Sequence, residues 1–345
     1  MYKKWSLEDL KSVPKNGFKV FSFFSCGGGS TMGYKLAGFD VIGHCEIDKR
    51  ICSIYKQNHH PKYSFNMDIR DFLRIRDGDL PKELFRLDIL DGSPPCSVFS
   101  MSGNREADWG RTKTFREGQS MQTLDDLFFE YIRAADRLKP KVFIAENVKG
   151  MLFGNAKGYV AEILMRFRDA GYEVQLFCLN AALMGVPQRR ERVFFIGHRN
   201  DLKYPKLKLD FNEGTVNFGE IKSGIGKPVT KKCMELLKQK IPTDRKMSDI
   251  NKRLYGKESQ FNEILVWDDI VAPTITAHGV FIRANDDSVF SDEDCIACQS
   301  FPYDYDFCGA EVQYICGMSV PPYMMHRISE EVKRQWLMQE ADEVD

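Results

Sequence analysis

A cysteine, a carboxylate and two arginines stand where this chain could do covalent chemistry. Cys96 closes the run ILDGSPPC, residues 89–96. The apolar residues Leu87 to Leu90 read as a short buried strand, which Gly92 and the Pro94-Pro95 pair stop abruptly. Proline lacks an N–H and fixes φ, so the thiol is held on a stiff corner just past the strand end. A cysteine placed there is a candidate nucleophile; it is equally a structural thiol, since free cysteine is among the most buried residue types. Glu146 follows the apolar run KVFIA, residues 141–145. Arg190 and Arg192 lie in QRRERVFFIG, residues 188–197, a basic cluster that runs straight into an apolar strand. Taken singly, an ordinary strand-end carboxylate and a solvated basic turn account for these three as well.

Phe18 to Phe24 has strand character and is followed by the glycine-rich turn SCGGGSTMG, residues 25–33, and a helix through Leu36. Such a turn lets a ligand approach the backbone and the helix N-terminus. It is not the dinucleotide fingerprint, because the glycine required after Gly27 and Gly29 would fall at Met32. The strand Val41 to Cys45 ends in Glu46-Ile47-Asp48, and an acidic residue closing a second strand suits ribose hydroxyls. Asp48 also suits the N-cap of a helix over Lys49 to His59. Ser64 to Met67 is a short strand ending at Asp68. Helices are expected over Leu124 to Leu138 and Ala156 to Ala170, with a strand over Tyr172 to Leu179.

This alternation argues an α/β fold with a doubly wound, largely parallel sheet. Phe24, Glu46, Asp68, Cys96 and Glu146 then each fall at the carboxyl end of a successive strand. Ligands of open α/β sheets bind outside those ends. Random placement would not readily set five useful residues along one edge.

Composition narrows the classes. Lys+Arg and Asp+Glu balance at 49 each, so no global basic field announces a nucleic-acid partner, and local charge must decide. No apolar run is long enough to span a bilayer, and MYKKWSLEDLKSV lacks the apolar core of a signal peptide, so a cytoplasmic protein with no membrane contact is expected. In that reducing compartment the ten cysteines are expected as free thiols.

With those motifs placed, the chain resembles the cytosine-C5 DNA methyltransferase family, in family order over most of its length. FSCGGGSTMG is similar to the family's first motif, SPPC to its nucleophile motif, and Glu146-Asn147-Val148 to its ENV motif. Gln188, Arg190 and Arg192 match Q-x-R-x-R; SDEDCIACQSFPYDY (291–305) and GMSVPP (317–322) resemble the ninth and tenth motifs. Departures are Ser97 for the usual Gln, Met318 for the usual Asn, and Cys26 for a small residue of the glycine turn.

The resemblance implies a Rossmann-like methyltransferase sheet that binds S-adenosylmethionine and releases S-adenosylhomocysteine. Phe24, Cys26, Gly27 and Gly29 would cradle the cofactor, with Glu46 on the ribose and Asp68 at the adenine amino group. Ile47, Ile69, Pro95, Ser319 and Val320 would complete its pocket. Cytosine C5 is a poor nucleophile until a thiolate adds to C6, which Cys96 would do. Glu146, carrying or sharing a proton, would meet N3. Arg190 and Arg192 would place positive charge near O2 and favour the thiolate. A duplex hides C6, so the base must leave the stack. The long polar stretch from Ser97 to Thr123 would then close over it as a lid, with Ser102 entering the emptied space and Gln188 also touching DNA.

From Arg199 to Asp269 the strand–helix rhythm fades, and 15 Lys+Arg stand against 11 Asp+Glu. A solvated basic surface explains this; so does phosphate contact. By resemblance it belongs to a smaller inserted target-recognition domain, residues 198–309, between a catalytic domain of 1–197 and its returning part, 310–345. Cys295-x-x-Cys298 has zinc-like spacing, but it falls in an amphipathic helix and lacks a second such pair. Cys295, Cys298, Cys308 and Cys316 are therefore expected as core thiols and no metal as bound. A final helix is expected from Ser329.

The expected function is transfer of a methyl group to cytosine C5 in double-stranded DNA by a monomer without large regulatory domains. A companion restriction endonuclease would suit such an enzyme. Two alternatives stay open: a tRNA cytosine methyltransferase, whose Cys-Phe-Thr signature the chain lacks, and a DNA-binding regulator that keeps the fold without turnover.

Overall fold

The computed structural model describes residues 3–95, 112–113, 122–123, 127–154, 156–256 and 262–339. Cys96, Ser97, Ser102, most of the proposed lid and the first residues of the helix expected from Leu124 lie outside them. The described chain forms two compact units: residues 12–179, 191–210 and 325–345, and residues 1–11, 180–190 and 211–324. The larger unit is thus left at Asp210 and rejoined at Met325, against boundaries of 198 and 310 read from sequence.

In the larger unit β1 (Lys19–Phe23) leads into α1 (Gly29–Leu36), then β2 (Asp40–Cys45), α2 (Lys49–His59), β3 (Tyr63–Phe65), α3 (Ile69–Phe72) and β4 (Ile89–Gly92). The short strands β5 (Thr112–Lys113) and β6 (Gln122–Thr123) pair with each other. Then come α4 (Leu127–Leu138), β7 (Val142–Val148), α5 (Ala156–Asp169) and β8 (Tyr172–Asn180). After β9 (Gln188–Arg189), which belongs to the other unit, β10 (Glu191–Arg199) completes the sheet.

Seven described strands line up in the order β3-β2-β1-β4-β7-β10-β8. β1 pairs in parallel with both β2 and β4, so the strand order reverses there and opens a crevice at the carboxyl ends. β10 is the departure from the parallel expectation, because it runs antiparallel to β7. The link from β8 to β10 is too short for the crossover that a parallel strand requires.

The central strands β1, β4 and β7 are largely buried on both faces. Phe21, Phe23, Phe72, Leu90, Phe128, Phe143 and Phe167 form one core, in which Phe143 and Phe167 stack at 3.7 Å. Tyr131 of α4 donates its hydroxyl to Leu90 O at 2.8 Å and lies hard against the end of β4. A Cβ on Gly92 would come within 2.4 Å of that ring, so only glycine lets strand and helix approach there.

The smaller unit contains β9, α6 (Phe218–Ile221), β11 (Lys227–Pro228), α7 (Lys231–Leu237), α8 (Met247–Tyr255), β12 (Ile264–Val266), β13 (Ala272–Pro273), β14 (Phe281–Arg283), β15 (Ser288–Val289), α9 (Asp292–Cys298) and α10 (Val312–Met318). Its sheet runs β11-β15-β14-β12 over a core of Leu237, Met247, Ile250, Leu265 and Ile282. Arg283 is buried with Asp294 at 2.7 Å. α11 (Pro322–Val332) carries the chain back to the larger unit. It starts at Pro322, not at Ser329 as the sequence reading had it, since proline suits the first helical position, where no N–H is needed. Cys295, Cys298 and Cys316 are buried as expected, but Cys308 is exposed in a turn, where its amide donates to Asp306 Oδ1 at 2.8 Å. Among the described residues no group of side chains is arranged to hold a metal.

Candidate active site

The carboxyl edge of the larger sheet is built from two halves. The first begins where β1 ends. Phe24, Cys26 and Gly28 all take positive φ, at 54°, 45° and 77°, so the turn coils tightly before α1. Cys26 N donates to Glu46 Oε2 at 3.0 Å, and Asp48 N donates to Glu46 Oε1 at 3.0 Å. One carboxylate thereby ties the glycine turn to the end of β2. Burial pushes Glu46 above the usual carboxylate range, and the two amide donors pull it back. Asp48 caps α2 by accepting from Arg50 N at 2.8 Å and Ile51 N at 3.1 Å. The capping role at this corner therefore falls to Asp48, and the Glu46 carboxylate is separate from it. Asp68 caps α3 through Arg70 N at 2.7 Å and meets the Arg70 guanidinium at 3.3 Å. Ile69 is buried and Ile47 half-buried beside these caps.

This half fits S-adenosylmethionine. The turn offers backbone without side-chain bulk, and carboxylate oxygens keep acceptor capacity beyond one amide each, so Glu46 can still receive a diol.

The second half lies at the ends of β4 and β7. Asn147 is buried, donates Nδ2 to Pro94 O at 3.0 Å and accepts from Val148 N at 2.8 Å. The Pro94-Pro95 corner that leads to Cys96 is thus pinned to the neighbouring strand. Glu146 Oε1 meets Arg192 Nε at 2.9 Å. Antiparallel β10 makes this possible, because its first residues arrive at the edge where β7 ends, with Arg192 opposite Val148 and Phe194 opposite Glu146. The two side chains are only 14% and 12% exposed, so little solvent screens the pair. Burial lowers the Arg192 guanidinium from its usual range, and Glu146 offsets that.

Sequence reasoning missed one further carboxyl group. Asp91, within β4, is buried and accepts from Ser22 Oγ at 2.6 Å and Tyr34 Oη at 3.2 Å. Burial raises it to about 7. An acidic residue in the apolar run Ile89–Leu90–Asp91 was the available signal.

Four expected site residues belong to the smaller unit. Gln188 is fully buried: its amide donates to Cys298 O at 3.1 Å and Gln299 Oε1 at 2.8 Å and accepts from Ile275 N at 2.8 Å. The side chain that the sequence reading placed on DNA is thus engaged with internal partners in this structure. Arg190 is 2% exposed and donates to Ile275 O at 3.1 Å and Gly317 O at 2.8 Å. Two of its guanidinium nitrogens are thus hydrogen-bonded to backbone carbonyls of the smaller unit. Ser319 accepts at its carbonyl from Gln299 Nε2 at 2.6 Å and is buried with Val320, whereas Met318 is 44% exposed.

The sequence profile of the C-5 cytosine-specific DNA methylase family matches residues 18–334. The Type II methyltransferase M.NgoPII of Neisseria gonorrhoeae is 37% identical over 213 residues, covering 61% of this chain and 55% of that protein. The Type II methyltransferase M.FnuDI of Fusobacterium nucleatum is 38% identical over 197 residues, covering 56% and 50%. This chain therefore spans about half the length of these relatives. Among solved structures, a DNA modification methyltransferase encoded within an Escherichia coli prophage superposes with a TM-score of 0.66 at 19% identity, covering 92% of this chain and 99% of that one. That likeness is one of fold.

Proposed function

Because the chain belongs to the C-5 cytosine-specific DNA methylase family, we propose that it transfers a methyl group from S-adenosylmethionine to C5 of a flipped cytosine in duplex DNA. The observation that carries this reading is the Glu146–Arg192 pair, set at the sheet edge beside the pinned Pro94. An acid and a cation so placed suit a pyrimidine whose N3 and O2 gain electron density together.

In this proposal the Cys96 thiolate forms a bond to C6, and the ring electrons move toward N3 and O2. Glu146 places a proton at N3 while the Arg192 guanidinium stabilises charge at O2. Phe24, the turn at residues 26–29, Glu46 and Asp68 would hold S-adenosylmethionine, whose methyl group would bond to C5 with S-adenosylhomocysteine as the leaving group. Loss of the C5 proton then returns the electron pair, breaks the C6–S bond and frees Cys96, while the N3 proton goes back to Glu146. Asn147 keeps the Pro94-Pro95 corner fixed and so sets the line of approach of the thiolate.

We further propose that the smaller unit reads the target sequence, for which the 11 Lys+Arg standing against 9 Asp+Glu in residues 211–269 supply phosphate contacts. A monomer working in the cytoplasm alongside a companion endonuclease suits such an enzyme. No described helix is long and apolar enough to cross a membrane.

The test is incubation of the full chain with methyl-labelled donor and duplex DNA, followed by mapping of methylated cytosines. The expected result is label at C5 within one short sequence. Label on tRNA alone would move the substrate to RNA. DNA binding without label, and without a denaturant-resistant adduct on 5-fluorocytosine duplex, would make the chain a non-catalytic binder.

A further inference from the structure

Two buried histidines hold the glycine turn from beneath, and the methyl-transfer chemistry uses neither. His44, on β2, brings Nδ1 to 2.8 Å from Ser25 Oγ and Nε2 to 2.8 Å from Ser64 Oγ on β3. Its ring stacks on Tyr55 of α2 at 3.7 Å, and the Tyr55 hydroxyl shares a hydrogen bond of 2.7 Å with Thr31 of α1. His59, the last residue of α2, places Nε2 at 3.2 Å from Gly27 O. A carbonyl only accepts, so this nitrogen carries the proton and donates.

The same imidazole fills the space beneath Gly28. A Cβ there would lie 2.1 Å from His59 Nε2. Position 28 thus needs glycine twice over, for its φ of +77° and for the ring below it.

Burial pulls His44 down to about 3 and His59 well below its usual range, so both rings stay neutral near pH 7. A neutral imidazole between two hydroxyls donates on one side and accepts on the other. The chain Ser64–His44–Ser25 therefore runs in one direction, and the Ser25 hydroxyl is oriented by it.

We infer that His44 and His59 are positioning residues for the methyl donor, fixing Ser25 and the Gly27 carbonyl so that the turn holds the shape that binds S-adenosylmethionine. This rests on the reading of the turn as the donor site. Glu46 grips the turn at Cys26 N, His44 at Ser25 and His59 at Gly27, so three successive residues are each held by a different side chain. A purely space-filling role would not require hydrogen bonds at two of the three.

The test measures S-adenosylhomocysteine binding by calorimetry on the full chain, together with thermal unfolding and steady-state kinetics. His59→Ala should weaken binding about tenfold, the factor expected for loss of one buried hydrogen bond. That loss should appear in the KM for the donor in preference to kcat. His59→Gln, which keeps a donor near the Nε2 position, should recover most of it. Gly28→Ala should weaken binding less in the His59→Ala background than in the parent, because the ring it would strike is gone. Parental binding in a folded His59→Ala protein would overturn the inference, as would a loss that His59→Gln fails to recover. If the parent chain itself binds no S-adenosylhomocysteine, the donor-site reading falls first and the inference falls with it.

Discussion

The Asn147 side-chain amide donates to the Pro94 carbonyl across the boundary between β7 and β4, at 3.0 Å and out of solvent. The residue after the candidate acid thereby fixes the residue two before the candidate nucleophile.

Asn147→Ala should leave the Pro94 carbonyl buried and unpaired, destabilising the fold by about 1–3 kcal/mol. Adduct formation on 5-fluorocytosine duplex should slow by about one to two orders of magnitude, since the corner that aims Cys96 loosens. Rapid-quench trapping checks this; parental trapping rates would show that the tie is only structural.

Replacing either member of the Glu146–Arg192 pair should lower kcat while DNA affinity is retained. We expect about 100-fold or more for Arg192→Ala and for Glu146→Gln, the range seen when one preorganised charge-stabilising group is removed. The double variant should lose far less than the product of the two, because the groups act as a unit. Single-turnover methylation of the four proteins measures the coupling.

Asp91 makes stability depend on pH. Its folded value of about 7 lies above the unfolded value of about 3.9, so the folded state holds an extra proton between them. The stabilising contribution is complete below about pH 4 and is lost as pH rises through 7, to an extent on the order of a few kcal/mol. Ser22 and Tyr34 donate to the carboxyl group, while Glu146 raises its pKa through charge repulsion. Asp91→Asn should flatten the denaturant midpoint between pH 4 and 8; an unchanged slope would place the titration elsewhere.

Gln188→Ala should destabilise the protein by about 2–3 kcal/mol by stranding Ile275 N and its other buried partners. DNA affinity per folded molecule should not change. A loss of affinity at full stability, read by fluorescence anisotropy beside chemical denaturation, would restore Gln188 as a DNA contact.

Much of the sheet edge was legible because strand ends leave local marks. Gly92 with Pro94, the acidic pair Glu46 and Asp48, and Asp68 before α3 are stop and cap signals readable from a few neighbours. What was illegible depends on register and direction. Arg190 and Arg192 are the same residue type two positions apart, and only the folded chain gives one to backbone carbonyls and the other to Glu146. Gln188 looked polar and free, but partners at residues 275, 298 and 299 are far away in sequence. His44 and His59 carry no local signal, since a lone imidazole in an apolar strand or at a helix end reads as core.

A strand that opposes its neighbours delivers its opening residue where they deliver their closing ones. The Arg192 guanidinium thus owes its address to pleat parity, with no flexible arm to correct an error. Deleting a single residue early in β10 would turn every later side chain to the opposite face and point this cation away from the cleft, even if the sheet closed up unharmed.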